Sequence, residues 1–181
     1  KLNQSISEIK LLKQSLREIH KYHSKQNILM IDYSKIKCND ARLSDLNEIV
    51  VIENNSHFSP WSKKSFEGSI RAKNIFKVFL EKEKIIGYYI ALIAQDQCEL
   101  LNITVIKNNQ NLGMGNFFLK HLISFCKAYK VANMFLEVRV SNIAAIRLYE
   151  KNGFNELGVR DNYYNTLQGK EDGLLMGYTF D

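Results

Sequence analysis

The chain has 181 residues, of which 45% are hydrophobic and 24% charged, a composition that fits a globular protein with one principal domain. The basic residues behind its formal net charge of +6 at pH 7 are interleaved with acids, so we expect a solvated basic surface rather than a nucleic-acid groove. A polyphosphate-bearing cofactor would suit this charge equally well. No apolar run reaches the roughly 18 residues of a membrane span and no signal-like segment opens the chain, so we predict no membrane association.

The cysteines and histidines predict neither disulfides nor a metal site. Cys38, Cys98 and Cys126 are an odd set without C-x-x-C spacing, which is typical of reduced thiols in a cytoplasmic protein. The histidines show no ligand spacing with these cysteines, although the first two could share a helix face; they are His20, His23, His57 and His121. We therefore expect a cytoplasmic protein without a bound metal.

Residues 1–27 differ in pattern from the rest of the chain. Apolar residues recur there every three or four positions, which predicts an amphipathic helix with a stripe of Ile6, Ile9, Leu12, Leu16 and Ile19. That stripe would dock on the domain's own core or on a partner. The predicted organisation is an N-terminal helical extension at 1–27 followed by one domain at 28–181.

The first half of this domain is predicted to be rich in strands. Pro60 marks a helix start, because the first turn of a helix does not use the N–H that proline lacks. Two apolar runs around the turn at 81–84 predict a hairpin. The predicted elements are a strand at 28–37, a helix at 40–55 with its acids early, a helix beginning near Ser59 or Ser62, and two strands within 75–95.

The second half alternates strands and helices. Its predicted elements are a strand at 98–106, a loop at 108–115, a helix at 116–130, a strand at 132–140, a helix at 142–152 and a final strand at 171–180. A strand-rich first half followed by this alternation indicates a mixed α/β sheet.

The loop before the helix at 116–130 is a candidate anion site. Gly113 and Gly115 allow a tight turn with bare N–H groups, and the helix dipole adds positive charge, which together suit a phosphate. A P-loop is excluded because no G-K-[ST] follows. A dinucleotide site stays open, because Glu137 lies near the offset of a ribose-binding acid, although Phe118 stands where a third glycine belongs.

Glu137 lies within a strand that is otherwise apolar. It is either an acid at a sheet edge that pairs with Arg139, or a carboxylate at a cleft that accepts a proton. Asn142 is a suitable N-cap for the next helix, and Gly153 suits the left-handed position after it. Tyr149 follows Asn142 by seven residues, so both lie on one helix face. Tyr149 is then either a core residue or a catalytic one.

Several motifs resemble a known family. The sequence "QNLGMG" at 110–115 resembles the acetyl-coenzyme A signature [RQ]-x-x-G-x-[GA] of the GNAT N-acetyltransferases. The segments "FSPWSKKSF", "LNITV", "LEVRVSNIAAIRLYEKNGFNE" and "NYYNTLQGKEDGLLM" follow in that family's order, over roughly 31–178. They look most similar to the branch of ribosomal-protein-alanine N-acetyltransferases.

The resemblance implies an α/β GNAT fold: a single mixed, mostly antiparallel sheet with a splayed central pair of parallel strands, flanked by helices. It also implies acetyl-coenzyme A as co-substrate, with its pantetheine arm in the gap between the splayed strands. The residues implied to contact it are Ile103, Thr104, Val105, Asn111, Leu112, Gly113, Met114, Gly115, Asn116 and Asn142.

The resemblance further implies the roles of four side chains. Glu137 would be the general base that takes a proton from the substrate ammonium through water, and Tyr149 would protonate the departing thiolate. A loop around Tyr163 and Tyr164 would cover the acceptor peptide. Asn111 departs from the basic residue customary in the phosphate loop, which leaves the phosphates to backbone groups and scattered lysines.

The function predicted on this basis is acetylation of an N-terminal alanine, that of the eighteenth protein of the small ribosomal subunit. The partner is then a ribosomal protein N-terminus or another peptide. Two alternatives stay open: a GNAT enzyme for a polyamine, an aminoglycoside or a lysine side chain, and a non-catalytic acetyl-coenzyme A sensor. The sequence carries no pattern that predicts an oligomeric state.

Overall fold

The computed structural model describes residues 32–180. The helix predicted at 1–27 and the start of the strand predicted at 28–37 lie outside this range. The helices are α1 (Leu46–Ser56), α2 (Lys63–Arg71), α3 (Met114–Ala128) and α4 (Ile143–Lys151). The strands are β1 (Ile36–Asp40), β2 (Ile75–Glu81), β3 (Lys84–Ala94), β4 (Gln97–Val105), β5 (Asn133–Arg139), β6 (Asn155–Thr166) and β7 (Gly169–Thr179). None of these helices is long and apolar enough to cross a membrane.

Two predicted boundaries near the start of the domain are wrong. The segment Tyr33–Lys35 forms a 3-10 turn, so the first strand begins only at Ile36. The helix predicted at 40–55 begins at Leu46, after a short 3-10 turn. The cause is local, because the Asp45 carboxylate accepts the N–H of Arg42 at 2.7 Å and holds this turn ahead of the helix.

Within the described residues, the strands form one seven-stranded sheet in the order β1-β2-β3-β4-β5-β7-β6. Every neighbouring pair is antiparallel except the central pair β4 and β5. The mixed sheet and its parallel pair are therefore confirmed, and so is the hairpin formed by β2 and β3.

The parallel pair diverges halfway along its length. β4 and β5 pair from Gln97 with Asn133 up to Leu100 with Leu136, and beyond these residues they no longer pair. β4 nevertheless stays paired to β3 as far as Val105. A bulge in the β3–β4 ladder leaves Leu101 as an extra residue at the point where the strands separate. The splay expected from the resemblance is confirmed.

The helices cover both faces of the sheet. α1 and α2 pack on one face through a cluster that comprises Leu46, Ile49, Ile52, Phe66, Phe76, Val78, Ile85, Tyr88 and Ile90. α3 packs on the other face, where Phe118 stacks on Phe79 with ring centroids 3.9 Å apart. Gly87 permits this close approach, because a Cβ there would lie 2.3 Å from the Thr104 carbonyl oxygen and 2.4 Å from Cε2 of Phe118.

The strand β6 was not expected from the sequence. It lies at the edge of the sheet and is exposed along nearly its whole length, so it has no buried face and no alternating pattern. Its ladder with β7 is interrupted twice, between Glu156 and Gly158 and between Arg160 and Tyr164. Side chains nevertheless reach across β7, where Arg160 of β6 contacts Glu137 of β5 and Arg139 of β5 donates to the Asn165 carbonyl of β6.

Candidate active site

A cavity of about 610 Å³ occupies the gap between the diverging strands. Its walls come from β4, β5, the start of α3, α4, and the end of α1 with the loop that follows. It brings together most of the predicted site residues: Ile103, Thr104, Val105, Asn111, Gly113, Gly115, Asn116, Glu137, Asn142, Tyr149 and Tyr164. Leu112, Met114 and Tyr163 do not line it, and the side chain of Met114 is buried in the core.

The start of α3 forms one end of this cavity. Gly113 precedes the helix with φ of +84°, a left-handed conformation that favours glycine, and no side chain caps the helix. The N–H groups of the first turn are therefore open to an anion, and the dipole of this 15-residue helix adds positive charge. At Gly115 a Cβ would lie 3.2 Å from Leu148 of α4, so the helix start and α4 are in close contact.

Amide side chains fix the elements around this helix start. The Gln110 side chain donates to the Val105 carbonyl at 2.9 Å, which ties the loop to the end of β4. Asn152 donates to the Asn116 side chain at 2.9 Å, which ties the end of α4 to the first turn of α3. The predicted cap is confirmed, because the Asn142 side chain accepts the Ala145 N–H at 3.2 Å.

Tyr149 lies on α4 and lines the cavity, although only 5% of its surface is exposed. Its ring packs against Phe154 at 5.7 Å between centroids. Burial raises the pKa of Tyr149, so its phenol remains protonated well into alkaline pH. The side chain is therefore a candidate proton donor.

Glu137 forms an ion pair with Arg160 of β6. The Arg160 guanidinium also lies over the Tyr163 ring, 4.1 Å from its centroid. Contact with Glu137 is the largest cause that raises the pKa of both Arg160 and Tyr163. Tyr163, although outside the cavity lining, thus contacts the carboxylate that the cavity contains.

The interpretation of Glu137 as an acid paired with Arg139 is wrong. Arg139 instead binds Glu171 of β7 at 2.6 Å, and this contact is the main cause that lowers the pKa of Glu171. The guanidinium of Arg139 also lies 4.4 Å from the centroid of the Tyr164 ring. Burial raises the pKa of Tyr164 to about 12. Arg139 and Arg160 therefore each pair with a different carboxylate and lie over a different tyrosine ring.

A second carboxylate in the cavity wall was not anticipated from the sequence. Glu53, near the end of α1, is only 1% exposed. Its carboxylate accepts the Trp61 N–H at 2.9 Å, the Asn102 amide at 3.2 Å and the Tyr88 hydroxyl. Nε2 of His57 lies 3.3 Å from the same carboxylate. Burial, followed by the charge of Glu53, raises the pKa of Tyr88.

These contacts join the loop after α1 to β4. Nε2 of His57 lies 2.7 Å from the Thr104 hydroxyl, and both residues line the cavity. One signal in the sequence could have pointed to this cluster: Glu53 follows Ile49 by four residues, so an acid continues the buried stripe of an amphipathic helix. A buried acid needs partners, and here they come from the loop after α1, from β3 and from β4.

Comparison with known proteins gives consistent matches. The model of the acetyltransferase (GNAT) family matches residues 44–154. The chain is 38% identical over 133 residues to the ribosomal protein bS18-alanine N-acetyltransferase of Salmonella typhimurium. The aligned region covers 74% of this chain and 90% of the relative. The enzyme of the same name from Haemophilus influenzae is 35% identical over 133 residues, with coverage of 73% and 90%.

Solved structures agree with these matches. The ribosomal-protein-S18-alanine N-acetyltransferase from Escherichia coli superposes with a TM-score of 0.76 at 35% identity, over 80% of this chain and 93% of that one. Ard1 from Thermoplasma volcanium gives a TM-score of 0.74 at 19% identity, over 81% and 99% of the two chains. At 19% identity, the match to Ard1 concerns the fold alone.

Proposed function

This chain belongs to the acetyltransferase (GNAT) family, and we propose that it transfers an acetyl group from acetyl-coenzyme A to the α-amino group of an N-terminal alanine. The acceptor we propose is ribosomal protein bS18, for which the relatives at 35% to 38% identity are named. The observation that carries the proposal is the cavity at the splay of β4 and β5, which is lined by both a carboxylate, Glu137, and a protonated phenol, Tyr149.

The residues of the cavity fit acetyl-coenzyme A, the acetyl donor of this family. The uncapped start of α3, from Gly113 to Asn116, suits the pyrophosphate, with Asn111 in the preceding loop. The edge of β4 from Ile103 to Val105 carries backbone groups that β5 does not pair, and these suit the amides of the pantetheine arm. Asn142 lies at the start of α4 on the same cavity.

Glu137 is assigned the role of proton acceptor. An amine attacks a thioester carbonyl only as the free base, so the substrate ammonium must first lose a proton. The Glu137 carboxylate pairs with Arg160 and lines the cavity, so it is placed to accept this proton directly or through one water molecule. A backbone N–H on the open edge of β4 would stabilise the negative charge that develops on the carbonyl oxygen.

Tyr149 is assigned the opposite role. The departing thiolate needs a proton, and a phenol whose pKa is raised by burial remains a donor at neutral pH. Tyr163 and Tyr164 stand on the hairpin of β6 and β7 beside Glu137, where they would cover the acceptor peptide. A ribosomal acceptor also places the reaction in the cytoplasm, where Cys38, Cys98 and Cys126 stay reduced.

The proposal is tested with acetyl-coenzyme A and a synthetic peptide that matches the N-terminus of bS18. The same peptide with a blocked amino group is the control, and release of free thiol is the signal. Thiol release from the open peptide alone supports N-terminal acetyl transfer. Release with small amines or with lysine side chains, but not with the peptide, would indicate another acceptor. Tight binding of the coenzyme without turnover on any amine would indicate a sensor.

A further inference from the structure

Besides the carboxylates Glu137 and Glu53, the cavity is lined by a histidine that can accept a proton. His57 stands at the end of α1, on the wall formed with β4, whereas Glu137 lies on β5 across the splay. Within residues 32–180, the polar contacts of its ring are made by Nε2, which lies 2.7 Å from the Thr104 hydroxyl and 3.3 Å from the Glu53 carboxylate. The side chain is 38% exposed, and the residue lines the cavity.

The hydrogen bonds around Thr104 fix the tautomer of His57. The Thr104 hydroxyl lies 3.0 Å from the side-chain oxygen of Asn102 and 3.4 Å from the Glu53 carboxylate, and both of these atoms are acceptors. The amide group of Asn102 itself donates to Glu53, which fixes the orientation of that side chain. The hydroxyl hydrogen of Thr104 is thus used, and its oxygen accepts from Nε2–H of His57. In the neutral ring Nδ1 then carries the free lone pair.

The reaction requires two proton transfers from the acceptor nitrogen. The substrate ammonium carries three protons and the product amide carries one. One proton leaves before nitrogen attacks the acetyl carbonyl carbon, and the second leaves once the C–N bond has formed and the C–S bond breaks. The sulfur takes a proton from Tyr149, one of the two released protons restores that phenol, and the other passes to solvent.

We propose that Nδ1 of His57 accepts one of these two protons and Glu137 the other, with Glu53 as a positioning residue that stabilises the resulting imidazolium. This inference rests on the function proposed above. Two acceptors on opposite walls allow both protons to leave one nitrogen without the first acceptor having to discharge in between. Glu53 is suited to its role because its other hydrogen bonds hold the carboxylate buried and fixed beside His57.

Other ionisable groups share this environment. Tyr88 contacts Glu53 from β3. The ionisable residues that line the rest of the cavity are Glu137, Arg139, Tyr149 and Tyr164. The arginine of this set is paired with Glu171. Within the described residues no lysine lines the cavity, so the nearest charge to His57 is the negative one of Glu53.

The test is the pH dependence of kcat/KM for an alanine-starting peptide in the full chain and in His57→Gln. Glutamine keeps an N–H for Thr104 but does not titrate, so it preserves the anchor and removes the base. The matched control is His121→Gln on α3, which removes a histidine that bonds Tyr89 at 2.9 Å outside the cavity. Binding of acetyl-coenzyme A by calorimetry reports whether each variant is folded.

We expect His57→Gln to lower kcat/KM about 100-fold, at the lower end of what a positioned proton acceptor contributes, and to remove one ionisation from the acid limb of the profile. His121→Gln should keep the wild-type profile. An unchanged rate in His57→Gln overturns the proposal, and so does a loss of rate with an unchanged profile, because that outcome means a structural role. A wild-type chain inactive on the peptide would instead overturn the proposed function.

Discussion

The guanidinium of Arg160 on β6 forms an ion pair with the carboxylate of Glu137 on β5. Their strands do not pair with each other, because β7 lies between β5 and β6 in the sheet. The pair places a cation beside the carboxylate that is assigned as proton acceptor. The Glu137 carboxylate therefore already binds a cation in this structure, and the Arg160 side chain that supplies it is 53% exposed.

Replacement of Glu137 by glutamine should separate catalysis from binding. We expect Glu137→Gln to lower kcat at least about 100-fold, because the variant keeps the shape but loses the proton acceptor. Affinity for acetyl-coenzyme A, measured by calorimetry, should stay within about twofold of wild type.

The matched control for this variant is Glu48→Gln. Glu48 also accepts a backbone hydrogen bond, from Ile85 at 3.1 Å, but lies outside the cavity. The Glu48→Gln variant should keep wild-type turnover. Full turnover in Glu137→Gln would remove this residue from the mechanism.

Replacement of Tyr149 by phenylalanine tests the proton donor. The pKa of Tyr149 is raised by burial above the usual value of 10.0, so the phenol is protonated, as the proposed donor must be, throughout the neutral range. Tyr149→Phe removes only the hydroxyl, and we expect kcat to fall about 100-fold. The Kd for acetyl-coenzyme A and the KM for the peptide should change little. Steady-state kinetics and calorimetry measure these quantities.

An exposed tyrosine provides the comparison. Tyr129, at the end of α3, stacks on Phe125 with centroids 4.4 Å apart and does not line the cavity. Tyr129→Phe should leave kcat unchanged. Equal rates in Tyr149→Phe and wild type would show that the thiolate takes its proton from elsewhere.

A substitution at Gly113 should weaken coenzyme binding. Alanine at φ of +84° is strained, and its Cβ would lie 2.8 Å from the Tyr33 hydroxyl, so the loop must change shape. We expect Gly113→Ala to raise the Kd for acetyl-coenzyme A about tenfold, which corresponds to about 1.4 kcal/mol. Gly68→Ala, on α2 with no atom within 4 Å of the added Cβ, should bind like wild type. An unchanged Kd in Gly113→Ala would argue against a pyrophosphate site at this helix start.

A substitution at Gly87 should destabilise the fold. The Cβ of alanine would collide with the Thr104 carbonyl oxygen on one strand and with the Phe118 ring on α3. We expect Gly87→Ala to lower the free energy of unfolding by about 3 kcal/mol, at the upper end of overpacking costs. Gly158→Ala meets no atom within 4 Å and should stay within about 0.5 kcal/mol. Equal denaturation midpoints for the two variants would contradict the packing described for α3.

The elements with a clear period were predictable from sequence. The hairpin of β2 and β3 and the helix α4 carry alternating or helical apolar patterns, and the caps at Ser62 and Asn142 are both observed. β6 has no buried face, so nothing in its sequence distinguishes it from a loop. The extra turn before α1 depended on one contact between Arg42 and Asp45.

The site was only partly predictable for a related reason. Glu137, Tyr149 and the glycines lie in motifs that a sequence displays directly. The cluster around Glu53 depends on contacts with residues far along the chain, among them Tyr88 and Thr104. The pairing of Glu137 with Arg160, rather than with Arg139, likewise follows from the sheet order, which spacing alone does not give.

The most direct test of the account locates the transferred acetyl group. A peptide with an N-terminal alanine and an internal lysine is incubated with acetyl-coenzyme A and the full chain, and the product is fragmented by mass spectrometry. The account predicts one added acetyl group, carried by the fragment that contains the alanine α-amine. An acetyl group on the lysine side chain, or an unmodified peptide under conditions in which the coenzyme binds, would contradict N-terminal acetyl transfer.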